Sequence, residues 1–285
     1  MHVLAPPSIM RIPFLNSFVG GTCRIGAARL SARFKSSGTY SGSSTTSLST
    51  INAGFVPDFT KTKVYFPEVH HEQWNALELY ARLLHEWNEK INLVSRKDVQ
   101  NLCKKHISVS MAIHKCRRFQ PNERVIDVGS GGGLPGLPLA ILNPNTEFTL
   151  LDSKAKKVRV LREMVKELGL KNVECVEDRV ELHKQHKYDV CLGRGVSNLS
   201  KFLGLTKHLL ANCPQIGSDN GNGSGSCGVY YIKGGDFEEE LVAASLHATR
   251  LYDVEELTGV DCDKKVLFIP TKEVLNFGRM RMKHT

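Results

Sequence analysis

Residues 125–140 read VIDVGSGGGLPGLPLA, and this stretch decides the fold. A β-branched run gives way to glycines at 129, 131 and 133, and then to an apolar stretch opened by Pro135. The branched run suits a strand. The glycines let the backbone turn sharply and approach a ligand with no Cβ in the way, and a helix begun at a proline offers free N–H groups to a negative group. Strand, glycine turn and helix in this order make a nucleotide-cofactor turn. Gly131, Gly133 and Gly136 also satisfy the G-x-G-x-x-G spacing of dinucleotide enzymes, so the glycines alone leave the nucleotide open.

The acids around the turn narrow the choice. The next strand, FTLLD, ends at Asp152, which places a carboxylate beside the loop where it can accept hydrogen bonds from both ribose hydroxyls of an adenosine. Asp127 adds a second negative charge at the same sheet edge, and two carboxylates would repel a pyrophosphate. They favour a cofactor with a positive centre. S-adenosylmethionine has a sulfonium, an ammonium, a ribose and a single carboxylate for the loop amides. Asp127, Gly129, Ser130, Gly131 and Asp152 are the expected cofactor contacts in this stretch.

Outward from the loop, short β-rich runs alternate with helical ones. Strands are predicted at 124–128, 147–151, 173–176, 188–192 and 229–232, with helices near 135–143, 154–169, 198–212 and 236–248. Two more strand-like runs, around 250–257 and 265–271, follow. The pattern predicts an α/β fold, a mostly parallel Rossmann-like sheet covered on both faces, with ligands at the carboxyl ends of its strands. In the helix 154–169, Val158, Leu161, Val165 and Leu168 form the predicted docking face, while Lys156, Lys157, Arg159, Arg162 and Lys166 lie off it. Ahead of the sheet, Trp74, Leu77, Ala81, Leu84, Trp87 (or Asn88) and Ile91 recur at helical spacing, and a second helix is expected over 98–115. The domains read as an amino-terminal segment (1–55), a helical extension (56–120), the Rossmann-like domain (121–275) and a basic tail (276–285).

Composition sets further bounds. With 41% hydrophobic and 24% charged residues in 285, the chain can bury a full core, and no apolar run approaches the roughly 20 residues of a membrane span. The net charge of +9 is uneven: the first acid is Asp58, and five basic residues precede it. That acid-free, Ser/Thr-rich start fits a transit peptide, with RIGAARLSARF (24–34) as a short basic amphipathic helix, and predicts an organelle, the mitochondrion in preference to the chloroplast. The stretch 214–228, rich in Gly, Ser and Asn, is expected to be a flexible insertion. Eight cysteines without C-x-x-C spacing and eleven histidines without H-E-x-x-H predict no metal site.

Seven ordered blocks carry a family resemblance: WNEKINLVS (87–95), KHI (105–107), DVGSGGGLPGLPLA (127–140), LLDSKAKKVRVLR (150–162), EDRVE (177–181), RGVSNL (194–199) and IKG (232–234). In these the chain resembles the glucose-inhibited-division-B family, the small-subunit ribosomal RNA methyltransferases G, which methylate N7 of a guanosine. The resemblance implies a Rossmann-like methyltransferase domain behind a helical extension. It implies that Gly129 and Leu134 hold the cofactor, Asp152 its ribose, and Val180 and Glu181 its adenine end, with Arg194 on the side facing the substrate. The chain departs from the family in having Val109 where an Asp usually precedes the serine of the histidine block, and in the length of the 214–228 insertion.

Attack by N7 is an in-line displacement by a lone pair that carries no proton, so positioning dominates and no general base is expected. With N7 reserved for attack, a cation can hold O6. Arg194 and Lys233 are the candidates for that role, and Lys156, Arg159 and Arg179 for phosphate contacts. The expected partner is small-subunit ribosomal RNA or an assembling small subunit, with no membrane contact, and the expected state is a monomer. Two other classes use the same features: a nicotinamide-dependent oxidoreductase on the same glycines, and an RNA-binding protein that keeps the fold without activity.

Overall fold

Alternate residues of the central strands face opposite apolar layers, which is what a sheet covered on both sides requires. In the computed structural model, which describes residues 55–184, 186–211, 226–244 and 246–278, the strands are β1 (Arg124–Val128), β2 (Glu147–Asp152), β3 (Val173–Glu177), β4 (Val190–Arg194), β5 (Gly228–Gly234), β6 (Arg250–Asp253) and β7 (Lys264–Pro270). They lie in the order β3-β2-β1-β4-β5-β7-β6. Strands β1 to β5 are parallel, and β7 runs antiparallel to both β5 and β6. The amino end of β7 therefore lies at the same edge as the carboxyl ends of the others.

The helices are α1 (Thr60–Tyr65), α2 (His71–Lys90), α3 (Val109–Cys116), α4 (Gly136–Leu142), α5 (Ala155–Glu167), α6 (Leu199–Thr206), α7 (Glu238–Ala243), α8 (Val254–Thr258) and α9 (Thr271–Asn276). Val125, Leu150, Val190, Leu192 and Tyr230 face the layer built by α3, α4, α5 and α8, whereas Ile126, Val128, Leu151, Cys191 and Tyr231 face α6, α7 and α9. Helix α2 packs behind α4 and α5 through Trp74, Leu77, Tyr80, Ala81 and Leu84. Leu77 and Leu84 each contribute roughly 1.5–3 kcal/mol on burial. Gln73 fixes the crossing: its carbonyl oxygen accepts the His70 N–H at 3.1 Å, and its amide donates to the carbonyls of Ile141 and Leu142 at the end of α4.

The parallel sheet and its helical cover agree with the sequence, but several boundaries differ for identifiable reasons. The expected helix over 98–115 is broken into a 3-10 turn (Arg96–Asn101), a π-helical stretch (Leu102–Ser108) and α3. The carbonyls of Lys105 and His106 there bond outward to the Arg194 guanidinium, and a donor inserted in the ladder widens it. Strand β4 starts two residues after Tyr188, which instead bridges to Leu210. The helix expected over 236–248 contracts to α7, because Glu273 draws off the His247 and Ala248 N–H groups. Strand β6 stops at Asp253, whose carboxylate caps α8 through the N–H groups of Glu255 and Glu256.

On α5 the fully buried residues are Val158, Val160, Leu161 and Met164, with Val165 and Leu168 half-buried. The apolar face is wider than predicted because α2 covers a second side of the helix. The predicted amino-terminal segment up to residue 54, the core of the 214–228 insertion and the end of the basic tail lie outside the described residues.

Candidate active site

The glycine turn sits between the carboxyl ends of β1 and β2. Gly129, Gly131 and Gly133 all have positive φ, a conformation that L side chains resist. The N–H groups of Gly129 and Ser130 donate to the Leu151 carbonyl at 2.8 and 3.1 Å, and Ser130 Oγ donates to the Asp127 carbonyl at 2.8 Å. Leu134 N–H closes the turn on the Ser130 carbonyl at 3.0 Å.

Asp127 is fully buried. Its Oδ2 accepts the Gly136 N–H at 2.9 Å, the first amide of α4, while Oδ1 has no partner among the described residues. A Cβ on Gly136 would lie 2.3 Å from Leu150 and 2.8 Å from Asp127 Oδ2, so only glycine lets the helix approach this carboxylate. The finding revises the expectation that α4 offers free N–H groups to a ligand: the protein's own carboxylate takes that place. Burial, opposed by the Gly136 hydrogen bond and supported by the Asp152 charge, pushes the Asp127 carboxyl up to about 7.

Asp152 is also buried, at the end of β2. Its Oδ2 accepts from Gly131 N–H at 3.0 Å and its Oδ1 from Lys154 N–H at 2.9 Å, so one side chain holds the glycine turn and the start of α5 together. Each oxygen keeps a second lone pair for a further donor. The Asp152 carbonyl accepts the Asp178 N–H at 3.2 Å, which brings the segment after β3, with half-buried Val180 and exposed Arg179 and Glu181, to the same edge.

The helical extension roofs the turn, a contact that sequence reasoning did not anticipate. Buried Tyr80 of α2 donates its hydroxyl to the Gly132 carbonyl at 2.9 Å. Asn88 Oδ1 accepts the N–H groups of both Leu93 and Val94, at 2.8 and 2.9 Å, and so bends the chain after α2 over the loop. Cβ atoms built on Gly132 and Gly131 would meet Leu84 and Leu93, and the Leu93 carbonyl, respectively. The block WNEKINLVS held the signal, since a buried Asn in the last turn of a helix usually pairs backbone groups.

The residues expected on the substrate side are held by neighbours from distant segments. Arg194 gives Nη1 to the His106 carbonyl (2.9 Å) and Ser110 Oγ (3.3 Å), and Nη2 to the Lys105 carbonyl (3.0 Å) and His106 Nδ1 (2.8 Å). The guanidinium expected to face the substrate is thus a brace between β4 and the π-helical stretch. Lys233 pairs with Glu240 at 2.8 Å, and the other Glu240 oxygen accepts the Leu199 N–H at 3.0 Å. Tyr231 hydroxyl donates to the Ser197 carbonyl at 2.7 Å, and Val196 lies across from Gly129, 3.0 Å from where a Cβ would be. The loop Gly195–Asn198 therefore faces the glycine turn across the sheet edge. Lys156 and Arg159 on α5 are exposed, beside the Asp152 end of that edge.

The profile of the family described as rRNA small subunit methyltransferase G, GidB, matches residues 73–218. The ribosomal RNA small subunit methyltransferase G of Flavobacterium johnsoniae is 40% identical over 210 residues, covering 73% of this chain and 96% of the bacterial protein. The chain belongs to this family. The proteins of that name from Christiangramia forsetii, 36% identical over 74% of this chain and 96% of their own length, and Chlorobaculum tepidum, 43% over 60% and 75%, agree.

Membership in the methyltransferase G family makes S-adenosylmethionine the cofactor. The residues present fit it. Asp127 Oδ1 is a buried acceptor without a partner, suited to a cationic group, and Asp152 retains acceptor capacity for ribose hydroxyls. A dinucleotide's pyrophosphate would need the α4 amino terminus, which Asp127 occupies. A pH test follows. Between about 3.8 and 7 the folded chain holds a proton on Asp127 that the unfolded chain has released, so this group's contribution to stability is lost as pH rises through that window. Asp127→Asn should therefore gain melting temperature relative to the parent between pH 5 and 8 while binding S-adenosylhomocysteine more weakly. Parallel melting curves across that range would refute the assignment.

Proposed function

We propose that this chain transfers a methyl group from S-adenosylmethionine to N7 of a guanosine in small-subunit ribosomal RNA of an organelle, the mitochondrion in preference to the plastid. The observation that carries the reading is the pair of buried carboxylates at the β1 and β2 ends. One blocks the pyrophosphate position, and the other holds the glycine turn with lone pairs to spare. The organellar setting is supported by the acid-free, arginine-bearing start of the chain.

When bound, the cofactor supplies an electrophilic methyl group on a sulfonium. The chain supplies position. Asp152 orients the ribose, Val180 and Glu181 flank the adenine end, and Asp127 offers its free oxygen to the cationic portion, with Gly129, Ser130, Gly131 and Leu134 shaping the turn. N7 carries no proton, so no side chain has to remove one. The loop Gly195–Asn198, pinned by Tyr231 and Glu240, presents the acceptor base, and a loop held at both ends lowers the orientational cost of reaction. Lys233 lies at the β5 end to hold O6, and Arg194 serves by fixing the start of this loop. Exposed Lys156, Arg159 and Arg179 contact phosphates.

The test is transfer of labelled methyl from S-adenosylmethionine to small ribosomal subunits and to naked small-subunit RNA, followed by mass mapping of the product. Label recovered as 7-methylguanosine supports the proposal. Cofactor binding with no transfer to either RNA form would identify a binding-only protein, and label on another base or atom would overturn the N7 assignment.

A further inference from the structure

Beside the brace made by Arg194 lies a polar niche to which the reaction above gives no role. Because Arg194 Nη2 donates to His106 Nδ1 at 2.8 Å, the neutral ring carries its proton on Nε2. His106 is about nine-tenths buried, and this Nε2–H has no hydrogen-bond partner among the described residues. It points toward Asp98, whose Oδ2 is 3.9 Å away, while Asp98 Oδ1 takes Lys105 Nζ at 3.1 Å. Lys264, at the amino end of β7 and paired in register with Gly234, adds a half-buried ammonium that makes no ion pair among the described residues. Burial first, and then the Arg194 charge, lower its affinity for a proton. Asp98, Lys105 and Arg194 all act on it electrostatically.

One carboxylate thus stands among three cations and an unused N–H donor. The antiparallel course of β7 puts Lys264 at the ligand-bearing edge of the sheet, beyond β4 and β5 and on the opposite side of the acceptor loop from the basic face of α5. A niche with surplus positive charge, a spare donor and a displaceable, partly exposed carboxylate suits a phosphodiester.

We propose that Lys264, Lys105 and the Nε2–H of His106 form a subsite for a backbone phosphate of the substrate RNA, and that Asp98 fills this subsite in the free protein and gives way to the phosphate. The inference rests on the RNA methyltransferase reading, and it predicts opposite signs for two single substitutions. Lys264→Gln removes a phosphate contact: affinity for small-subunit RNA should fall roughly fivefold, and the slope of log affinity against log salt should shrink by about one. Asp98→Asn removes the competing charge and should raise affinity by a similar factor.

The experiment measures binding of the full chain and both variants to purified small-subunit ribosomal RNA between 50 and about 200 mM salt. Lys61→Gln, on exposed α1, serves as a charge control, Lys264→Arg as a rescue, and S-adenosylhomocysteine affinity as a check on the cofactor pocket. Opposite shifts, rescue by Arg and unchanged cofactor affinity support the subsite. If Asp98→Asn binds no more tightly, or Lys264→Gln binds like the parent or like Lys61→Gln, the subsite is overturned. If the parent itself neither binds RNA nor methylates it, the functional reading fails instead, an outcome distinct from both.

Discussion

Asp152→Ala is expected to weaken S-adenosylhomocysteine binding roughly 10- to 150-fold, the equivalent of losing a charged hydrogen-bonding partner of about 1.5–3 kcal/mol. The size follows from two roles on one side chain. The carboxylate keeps lone pairs for the ribose, and it also holds the N–H groups of Gly131 and Lys154. Alanine would abandon the ribose and release the turn together. Asp152→Asn keeps an oxygen for one of the two amides, so its loss should be smaller. Calorimetric titration of both variants reads this directly, and an Asp152→Ala affinity equal to the parent's would remove the aspartate from the cofactor pocket.

Arg194→Met should produce the largest loss of stability, about 3 kcal/mol or a melting temperature lower by roughly 6–12 °C. Methionine fills much of the volume but donates nothing. The Lys105 carbonyl and His106 Nδ1 would lose the guanidinium donor that now sits 3.0 and 2.8 Å from them, and the π-helical stretch would lose its tie to β4. Buried acceptors left unpaired cost about 1–3 kcal/mol each. Arg194→Lys, with a single ammonium, cannot span the four acceptors and should recover only part of the loss. A melting temperature within about 2 °C of the parent would show that the brace carries little energy. Buried His106 adds an acid sensitivity of known sign. Burial, and then the Arg194 charge, depress its pKa from 6.5 to about 3, so the fold loses stability as pH falls from about 6.5 toward 3.

The parts legible in the sequence were those written within a single local segment. The strand, turn and helix at 125–140, and the aspartate ending the next strand, each announce themselves within one short segment, and the structure joins them as neighbours in parallel register. The α8 start was equally local: Asp253, then Glu255 and Glu256 and, six residues after the Asp, Gly259 with positive φ. That cap was readable, yet the β-rich flank of Asp253 outweighed it. The rest depended on partners far away in the chain. Arg194 and His106 are 88 residues apart, and neither segment alone reveals that one takes the carbonyls of the other and widens its helix. Asn88 and Tyr80 likewise lie within the stretch that reads as an amphipathic helix, although their polar atoms shape the loop at 131–133 and its roof. Such polar contacts have no period to betray them, whereas apolar faces do.

The two carboxylates at the ends of the first two strands carry the cofactor assignment, and one titration decides it. Isothermal calorimetry of the chain with S-adenosylhomocysteine, and in parallel with NAD, should show saturable binding of the first and none of the second, because Asp127 already occupies the helix terminus that a pyrophosphate would require. Saturable binding of NAD with no response to S-adenosylhomocysteine would contradict it.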